Sequence, residues 1–247
     1  MRRGSYLTRL GLYLLHEGEY AEARAILEST LEWLKGWWKS LAESVMAEIF
    51  WSQGEYERGK LHALEAARAA RDERDPQRLS AALMELGRIE TRLGGFAEAR
   101  AHFMQSAAAC RPIHYEEGIA AALAGLGQVE LSLGRPARAQ EFFAEAWRVC
   151  EHWARGRDAY SAIALLGLGQ AAAAQQDSTQ AMDCYRRALR VPARMGRTTM
   201  EAIASAASVV AMDGDPVHAA ELLAFVVAHR YTTHWVKEAA RKLLVEL

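Results

Sequence analysis

The sequence predicts an all-α solenoid in which six helix–turn–helix repeats follow one another and a final helix caps the last repeat. Three observations predict it: a turn phrase that returns every 36 to 42 residues, a Leu-x-x-Leu-Gly pattern before several of its copies, and an amphipathic segment at the C-terminus. Self-similarity at a period of this size is the signature of repeat architectures. Each repeat in such a fold buries its apolar face against the next repeat.

The turn phrase joins the two helices of each predicted repeat. Its six copies begin at Gly18, Gly54, Gly94, Gly134, Gln176 and Gly214. Glycine suits this place because a helix often ends in the left-handed conformation, which a Cβ atom disfavours. Five residues later comes a small residue that lets the two helices approach closely: Ala23, Gly59, Ala99, Ala139, Ala181 and Ala219. Four residues further on, a bulky residue fills the space between them, except in repeat two: Leu27, Ala63, Phe103, Phe143, Tyr185 and Leu223.

The Leu-x-x-Leu-Gly pattern marks the first helix of a repeat. Its clear copies end at Gly87, Gly127 and Gly169, seven residues before the turn. A glycine inside a helix costs about 1 kcal/mol relative to alanine. Its recurrence in register therefore indicates that a neighbouring helix packs against bare backbone, and Gly127→Leu is expected to destabilise the fold strongly.

These patterns place the repeats at about 4–37, 40–73, 78–112, 117–153, 158–193 and 198–230. The capping helix is expected at 233–247, and the whole chain, 1–247, is predicted to form a single domain.

Composition excludes several function classes. The chain has 30 Lys and Arg against 31 Asp and Glu, so it lacks the basic excess that nucleic-acid binding or attraction to a membrane surface requires. Its apolar runs are too short to cross a membrane, and the N-terminus lacks a signal-peptide cleavage site. Three well-separated cysteines do not indicate a disulfide framework. We therefore expect a cytoplasmic protein.

The sequence does not predict a catalytic, cofactor or metal site. One near-match to a nucleotide-binding loop, Gly54-x4-Gly59-Lys60, continues with Leu61, where magnesium binding needs Ser or Thr. The segment before it is predicted to be a helix, whereas the nucleotide-binding loop follows a strand. Gly54 and Gly59 are also explained as turn and close-packing residues of repeat two, so we expect a protein that is not an enzyme.

Together the turn phrase, the Leu-x-x-Leu-Gly pattern and the Ala-x3-Phe spacing resemble the tetratricopeptide repeat (TPR). The first-position Trp of that family is replaced by Leu or by Glu43, and the period here is nearer 40 than 34 residues. The resemblance implies a right-handed superhelix whose first helices line a concave face. The longer period and the C-terminal tail resemble the TPR-like sensor arms of bacterial signal-transduction (STAND) ATPases and transcription regulators.

The resemblance also indicates where a ligand would bind. Carried over by register, the concave positions form one row at Leu12, Glu48, Arg88, Gln128, Gln170 and Ser208, and a second row that includes Trp51 and Thr91, with Arg92 beside it. The predicted ligand contacts are Glu48, Trp51, Arg88, Thr91, Arg92, Gln128 and Gln170. These residue types suit a peptide, a protein segment or a small polar ligand.

Trp37 and Trp38 are adjacent, so they cannot both face inward on one helix. They either pack between repeats or contact a partner, while Trp33 is expected in the core.

Three functions remain open at this point. The first is a non-catalytic sensor or interaction arm, in which ligand binding biases an upstream switch domain of a larger signalling ATPase. The second is a free-standing adaptor that binds peptides. The third, an uncharacterised enzyme, would require a cluster of polar groups with perturbed pKa values.

Overall fold

The computed structural model describes residues 2–154, 159–191 and 196–247, and all regular elements within them are helical. The thirteen α-helices of these residues are α1 (Arg2–His16), α2 (Tyr20–Glu28), α3 (Gly36–Gln53), α4 (Tyr56–Asp72), α5 (Pro76–Leu93), α6 (Phe96–Cys110), α7 (Glu116–Ser132), α8 (Pro136–Ala154), α9 (Ala159–Ala174), α10 (Ser178–Arg190), α11 (Arg197–Met212), α12 (Pro216–Ala228) and α13 (His234–Glu246). A 3₁₀ turn, Arg111–Ile113, follows α6.

The helices pack in consecutive pairs, α1 with α2 through α11 with α12, as the six repeats predict. This confirms the all-α repeat fold. The predicted boundaries at residues 158 and 193 lie outside the described residues.

The chain divides into two compact units, and the division falls within α7. We call Met1–Gly125 the N-terminal unit and Leu126–Leu247 the C-terminal unit. The organisation of all repeats into one continuous domain remains a prediction.

Left-handed residues end the first helices of the repeats, as the turn phrase predicts. Gly54 and Gly94 both have φ of 82°, and each is the C-cap of its helix. Where the phrase begins with glutamine, Gln176 adopts the same conformation at φ 62°. The backbone geometry of the turn is therefore kept even where the residue that favours it is absent.

The predicted small and bulky positions of the second helices form the core. All the small residues are buried, and so are the bulky residues Leu27, Phe103, Phe143, Tyr185 and Leu223. Since removal of apolar surface from water is the main favourable term in folding, these two positions hold each helix pair together.

The helix-interior glycines lie directly under the bulky residues. A Cβ atom added to Gly87 would lie 2.6 Å from Cε1 of Phe103, and one added to Gly127 would lie 2.8 Å from Cζ of Phe143. Phe103 also contacts Gly125, on the first helix of the following repeat. The glycines are therefore explained by close approach of an aromatic ring, as the sequence pattern indicates.

The C-terminal helix caps the last pair, which confirms the predicted capping helix to within one residue at each end. Val236 and Ala240 of α13 are buried in one cluster with Leu223 and Val226 of α12. A terminal repeat needs such a cover because its apolar face would otherwise meet water.

Trp33 is not in the core, so that expectation was wrong. Helix α2 ends at Glu28, and Trp33 lies in the turn segment before α3 with 55% of its surface exposed. Because this segment is outside a helix, no helix face directs the Trp33 side chain towards the core.

Candidate functional site

The first predicted row of ligand positions has a common environment. Leu12, Glu48 and Arg88 in the N-terminal unit are each half-buried, and so are Gln128, Gln170 and Ser208 in the C-terminal unit. All six lie on the first helix of their pair. Polar side chains in this setting reach solvent, while the residues beside them on the same helices are buried and apolar.

Arg88 is the most constrained member of the row. Its guanidinium lies over the Trp51 ring, 4.0 Å from the ring centroid, and Nη1 donates to Oε1 of Glu85 at 2.8 Å. The cation–π contact and the ion pair hold the guanidinium in one orientation. Because only part of its five-donor fork is used by Glu85, the group can still donate to a ligand.

The second row is less accessible in the N-terminal unit. Trp51 is 4% exposed and Thr91 is 9% exposed. The Thr91 hydroxyl donates to the carbonyl of Gly87 at 2.7 Å. Trp51 therefore acts as the platform under Arg88, while the neighbouring Arg92 is half-buried. Whether any of these residues contacts a ligand remains a prediction.

The C-terminal unit has a pocket of about 120 Å³ among α9, α11, α12 and α13. Polar residues of its lining are Gln170, Glu201, Ser205 and Ser208, and Trp235 adds an indole. The rest of the lining is apolar. The pocket therefore combines an apolar surface with a few polar groups, as ligand sites commonly do. Gln170 and Ser208 belong to the predicted row, whereas Gln128 does not line this pocket.

Sequence reasoning missed Glu201 and Ser205. They lie four residues apart on α11, with Ser208 three residues further along, so the three side chains share one face of an otherwise Ala- and Val-rich helix. That spacing was the available signal.

The predicted partner contact at Trp37 and Trp38 lies in the first turn of α3. The two rings meet edge to face with centroids 4.6 Å apart. Arg78 lies over Trp37 and Arg9 over Trp38. Trp38 packs against the core, while Trp37 remains 39% exposed. The partner role of the pair remains a prediction.

The residues of the nucleotide-loop near-match have structural roles. Gly54 is the C-cap of the helix α3, whereas a nucleotide-binding loop follows a strand. A Cβ atom on Gly59 would lie 3.1 Å from the Ala47 carbonyl oxygen. Lys60 pairs with Glu90 at 2.8 Å, and this hydrogen bond raises the lysine pKa.

Several buried acids in the repeats were not anticipated. Glu43 lies at the position where the TPR pattern has its first tryptophan. Its Oε2 atom forms a hydrogen bond of 2.7 Å with Nδ1 of His62. Glu130 lies 3.6 Å from both Arg135 and Arg138. His62 and Arg138 lie on the following helix and Arg135 lies directly before it, and these partners explain how the acids are tolerated in the interior.

Other chemistry of the described residues is limited. Residues 2–154, 159–191 and 196–247 hold no group of three His, Cys, Asp or Glu side chains that could bind a metal. None of the helices described is both long and apolar enough to span a bilayer. Cys110, Cys150 and Cys184 are buried and form no disulfide with one another, and burial raises the pKa of Cys110 and Cys184.

A family profile matches the central repeats of the chain. The profile described as tetratricopeptide repeat matches residues 78–152 and 118–193. Together these two matches cover residues 78–193, just under half of the chain. We call residues 78–193 the TPR segment. It contains both residues of the Gly87–Phe103 and Gly127–Phe143 contacts described above. A search of curated proteins found no match to the chain.

Solved structures extend the likeness of fold beyond the matched TPR segment. NprR in complex with its cognate peptide NprX has a TM-score of 0.75 at 14% identity, covering 98% of this chain and 72% of that chain. A Rap protein complexed with Competence and Sporulation Factor has a TM-score of 0.69 at 15% identity, covering 98% and 73%. PilF of Pseudomonas aeruginosa has a TM-score of 0.56 at 16% identity, covering 99% and 97%. At these identities the likeness concerns the fold alone.

Proposed function

We propose that this chain is a non-catalytic binding scaffold whose first helices bind peptide segments. The observation that carries the proposal is Arg88, a half-buried cation held by Trp51 and Glu85 on the predicted ligand row. The similarity of fold to NprR, solved with its cognate peptide NprX, supports the same class of ligand.

The constraint on Arg88 matters because a side chain that becomes ordered on binding loses conformational entropy, which lowers the affinity. Fixing a long side chain on binding costs about 0.5–1.5 kcal/mol. Arg88 is already ordered by two contacts in the unbound protein, so a backbone carbonyl or carboxylate of a peptide would meet an oriented donor. The other half-buried polar positions of the row, Glu48 among them, supply further hydrogen-bonding groups, one on each first helix.

Selection from a library of random-sequence heptapeptides, followed by fluorescence anisotropy of the selected peptides, tests the proposal. Arg88→Gln is expected to weaken binding about tenfold or more, since a hydrogen bond from a charged donor contributes roughly 1.5–3 kcal/mol. The matched control is Arg68→Gln, because Arg68 is an exposed arginine on the second helix α4. Absence of any selected peptide, or equal loss in both variants, would contradict the proposal.

The larger context of this function is a finer proposal. We place the chain as the cytoplasmic sensor arm of a bacterial signalling or transcription-regulating ATPase, on the resemblance of its long repeats and its C-terminal tail to such arms. The coding sequence upstream of Met1 tests this. An in-frame nucleotide-binding module supports the sensor arm, and an in-frame stop codon supports the free-standing adaptor instead.

A further inference from the structure

We infer that the pocket of the C-terminal unit binds one basic side chain, an arginine or lysine, of a peptide ligand. This inference rests on the proposed function and specifies what a ligand must carry. Three features of the pocket support it: its volume, its charge and the direction of its hydrogen bonds.

The volume of the pocket fits a single side chain. At about 120 Å³ it is smaller than the roughly 300–1,000 Å³ typical of sites for whole small molecules. It is closer to the engineered cavity of about 150 Å³ that holds benzene. A folded ligand or a cofactor would not fit, whereas one side chain projecting from an extended peptide would.

The charge of the pocket selects a cation. Among the described residues that line it, Glu201 is the one ionisable group. A carboxylate has about four acceptor sites on its two oxygens, so Glu201 can accept from a ligand in addition to its contacts within the protein. An anionic side chain would meet like charge at this carboxylate, and a neutral apolar one would add no donor for its remaining acceptor sites.

The neighbouring hydroxyl also favours a ligand that donates. The Ser208 hydroxyl donates to the Ala204 carbonyl at 3.1 Å, so the atoms it has left for a ligand are lone pairs. Glu201 and Ser208 thus both offer acceptors, on the same face of α11. A guanidinium or ammonium group has donors and no acceptor, which is the complement of this pair.

The apolar part of the pocket suits the stem of such a side chain. Leu223, Val236 and Ala240 form a buried floor, and the Trp235 indole borders it. Lysine and arginine stems pack on apolar surface while their charged heads reach a polar group. The indole can also attract the cation through its ring face.

The test uses two blocked pentapeptides, Gly-Gly-Arg-Gly-Gly and the same peptide with citrulline, which keeps the shape and loses the charge. Both are titrated into the full-length protein, with backbone amide shifts of α9, α11 and α13 as the readout. The arginine peptide is expected to bind at least about tenfold more tightly than the citrulline peptide. Glu201→Gln should abolish that difference.

Two further variants separate recognition from folding. Ser208→Leu fills the pocket without changing its charge and is expected to weaken the arginine peptide about tenfold or more. Glu238→Gln makes the same chemical change as Glu201→Gln at an exposed glutamate of α13, and it should keep the affinity and the selectivity of the wild-type protein. Equal binding of the two peptides to the wild-type protein, or unchanged selectivity in Glu201→Gln, would overturn the inference.

One more ligand identifies the source of the cation. N-acetyl-arginine amide carries the side chain without the peptide and is expected to bind more weakly than the pentapeptide. Equal affinity would overturn the assignment to a peptide and point to a small free cation. If heptapeptides bind through Arg88 but the arginine pentapeptide shows no Glu201-dependent advantage over the citrulline pentapeptide, this inference fails while the proposed function stands. If no heptapeptide binds, the proposed function fails first.

Discussion

Repeats two and three fill the same space between their helices in different ways. In repeat three, the Phe103 ring lies against Gly87, which has no side chain. In repeat two the corresponding residues are Ala63 and Ala47, and both are completely buried. Gly59 beside them brings the helices together, because a Cβ atom there would lie 3.1 Å from the Ala47 carbonyl oxygen.

In these two repeats, the size of the residue at the bulky position of the second helix complements the size of the residue it faces on the first helix. A large ring requires a glycine opposite it, and a small residue tolerates an alanine. Leucine at the bulky position accepts either partner: a Cβ atom on Gly11 would lie 2.8 Å from Leu27, whereas Leu223 shares a buried cluster with Ala207. The unit of recognition between the helices is therefore the pair of residues, and single-residue patterns describe only half of it.

The largest effect is expected from Phe103→Ala. Removal of the buried ring leaves a cavity and should lower the free energy of unfolding by about 3–5 kcal/mol. Adding Gly87→Ala creates the alanine pair of repeat two, fills part of the cavity and improves helix propensity by about 1 kcal/mol. Urea denaturation should show the double variant to be more stable than Phe103→Ala alone. A double variant that is less stable would mean that the two repeats are not alternatives of one design.

Gly127→Leu tests the reverse error, too much volume at a glycine. A Cβ atom at position 127 would lie 2.8 Å from Cζ of Phe143. A leucine side chain there must therefore displace the Phe143 ring. We expect a loss of about 3 kcal/mol from overpacking, measured by the same denaturation. Ala173→Leu, at a half-buried position on α9, serves as a control for adding leucine to a first helix. A silent Gly127→Leu would show that the register of repeat four is wrong.

A smaller effect, with the opposite sign, is expected at the weak copy of the turn phrase. Gln176 has φ of 62°, which favours glycine, so Gln176→Gly should raise the free energy of unfolding by about 0.5–1 kcal/mol. Gly134→Gln is the reciprocal change, because Gly134 has φ of 69° and nothing lies within 4 Å of its Cβ position. It should lose a similar amount. Thermal unfolding of the two variants measures both signs, and a loss in Gln176→Gly would contradict the conformational explanation.

The smallest effect concerns pH. Burial lowers the pKa of His102 below its ordinary value of 6.5, against the opposing effect of Glu90 and with Lys60 and Arg71 reinforcing it. The unfolded chain therefore binds the proton more readily, and stability falls as pH drops through about 6.5 towards the lower folded pKa. Comparison of unfolding free energies at pH 7.5 and 5.0 should show a smaller decrease in His102→Gln than in the wild-type protein. An identical decrease would assign the pH dependence to other groups.

The repeat fold was predictable because its determinants are close in sequence. Gly87, the turn at Gly94 and Phe103 lie within 17 consecutive residues of one repeat, so one repeat contains the whole rule and the other repeats confirm it. Trp33 was mispredicted because its residue type favours burial, whereas it lies in the segment between the end of α2 at Glu28 and the start of α3.

The candidate sites were predictable only in part. Register placed Arg88 and Gln170 on the first helices, and both lie there. The stacking of Arg88 on Trp51 depends on two different helices. The pocket around Glu201 depends on four helices, including α13. Periodicity within one helix contains no information about which side chains another helix brings to it, so these sites needed the three-dimensional structure.

The first helices are proposed to form the binding face. Hydrogen–deuterium exchange with a peptide selected from the heptapeptide library tests it most directly, because binding slows local opening where contacts form. We expect slower exchange on first helices, such as α5 around Arg88, and little change on the second helices α4 and α6. Protection confined to the second helices would contradict it.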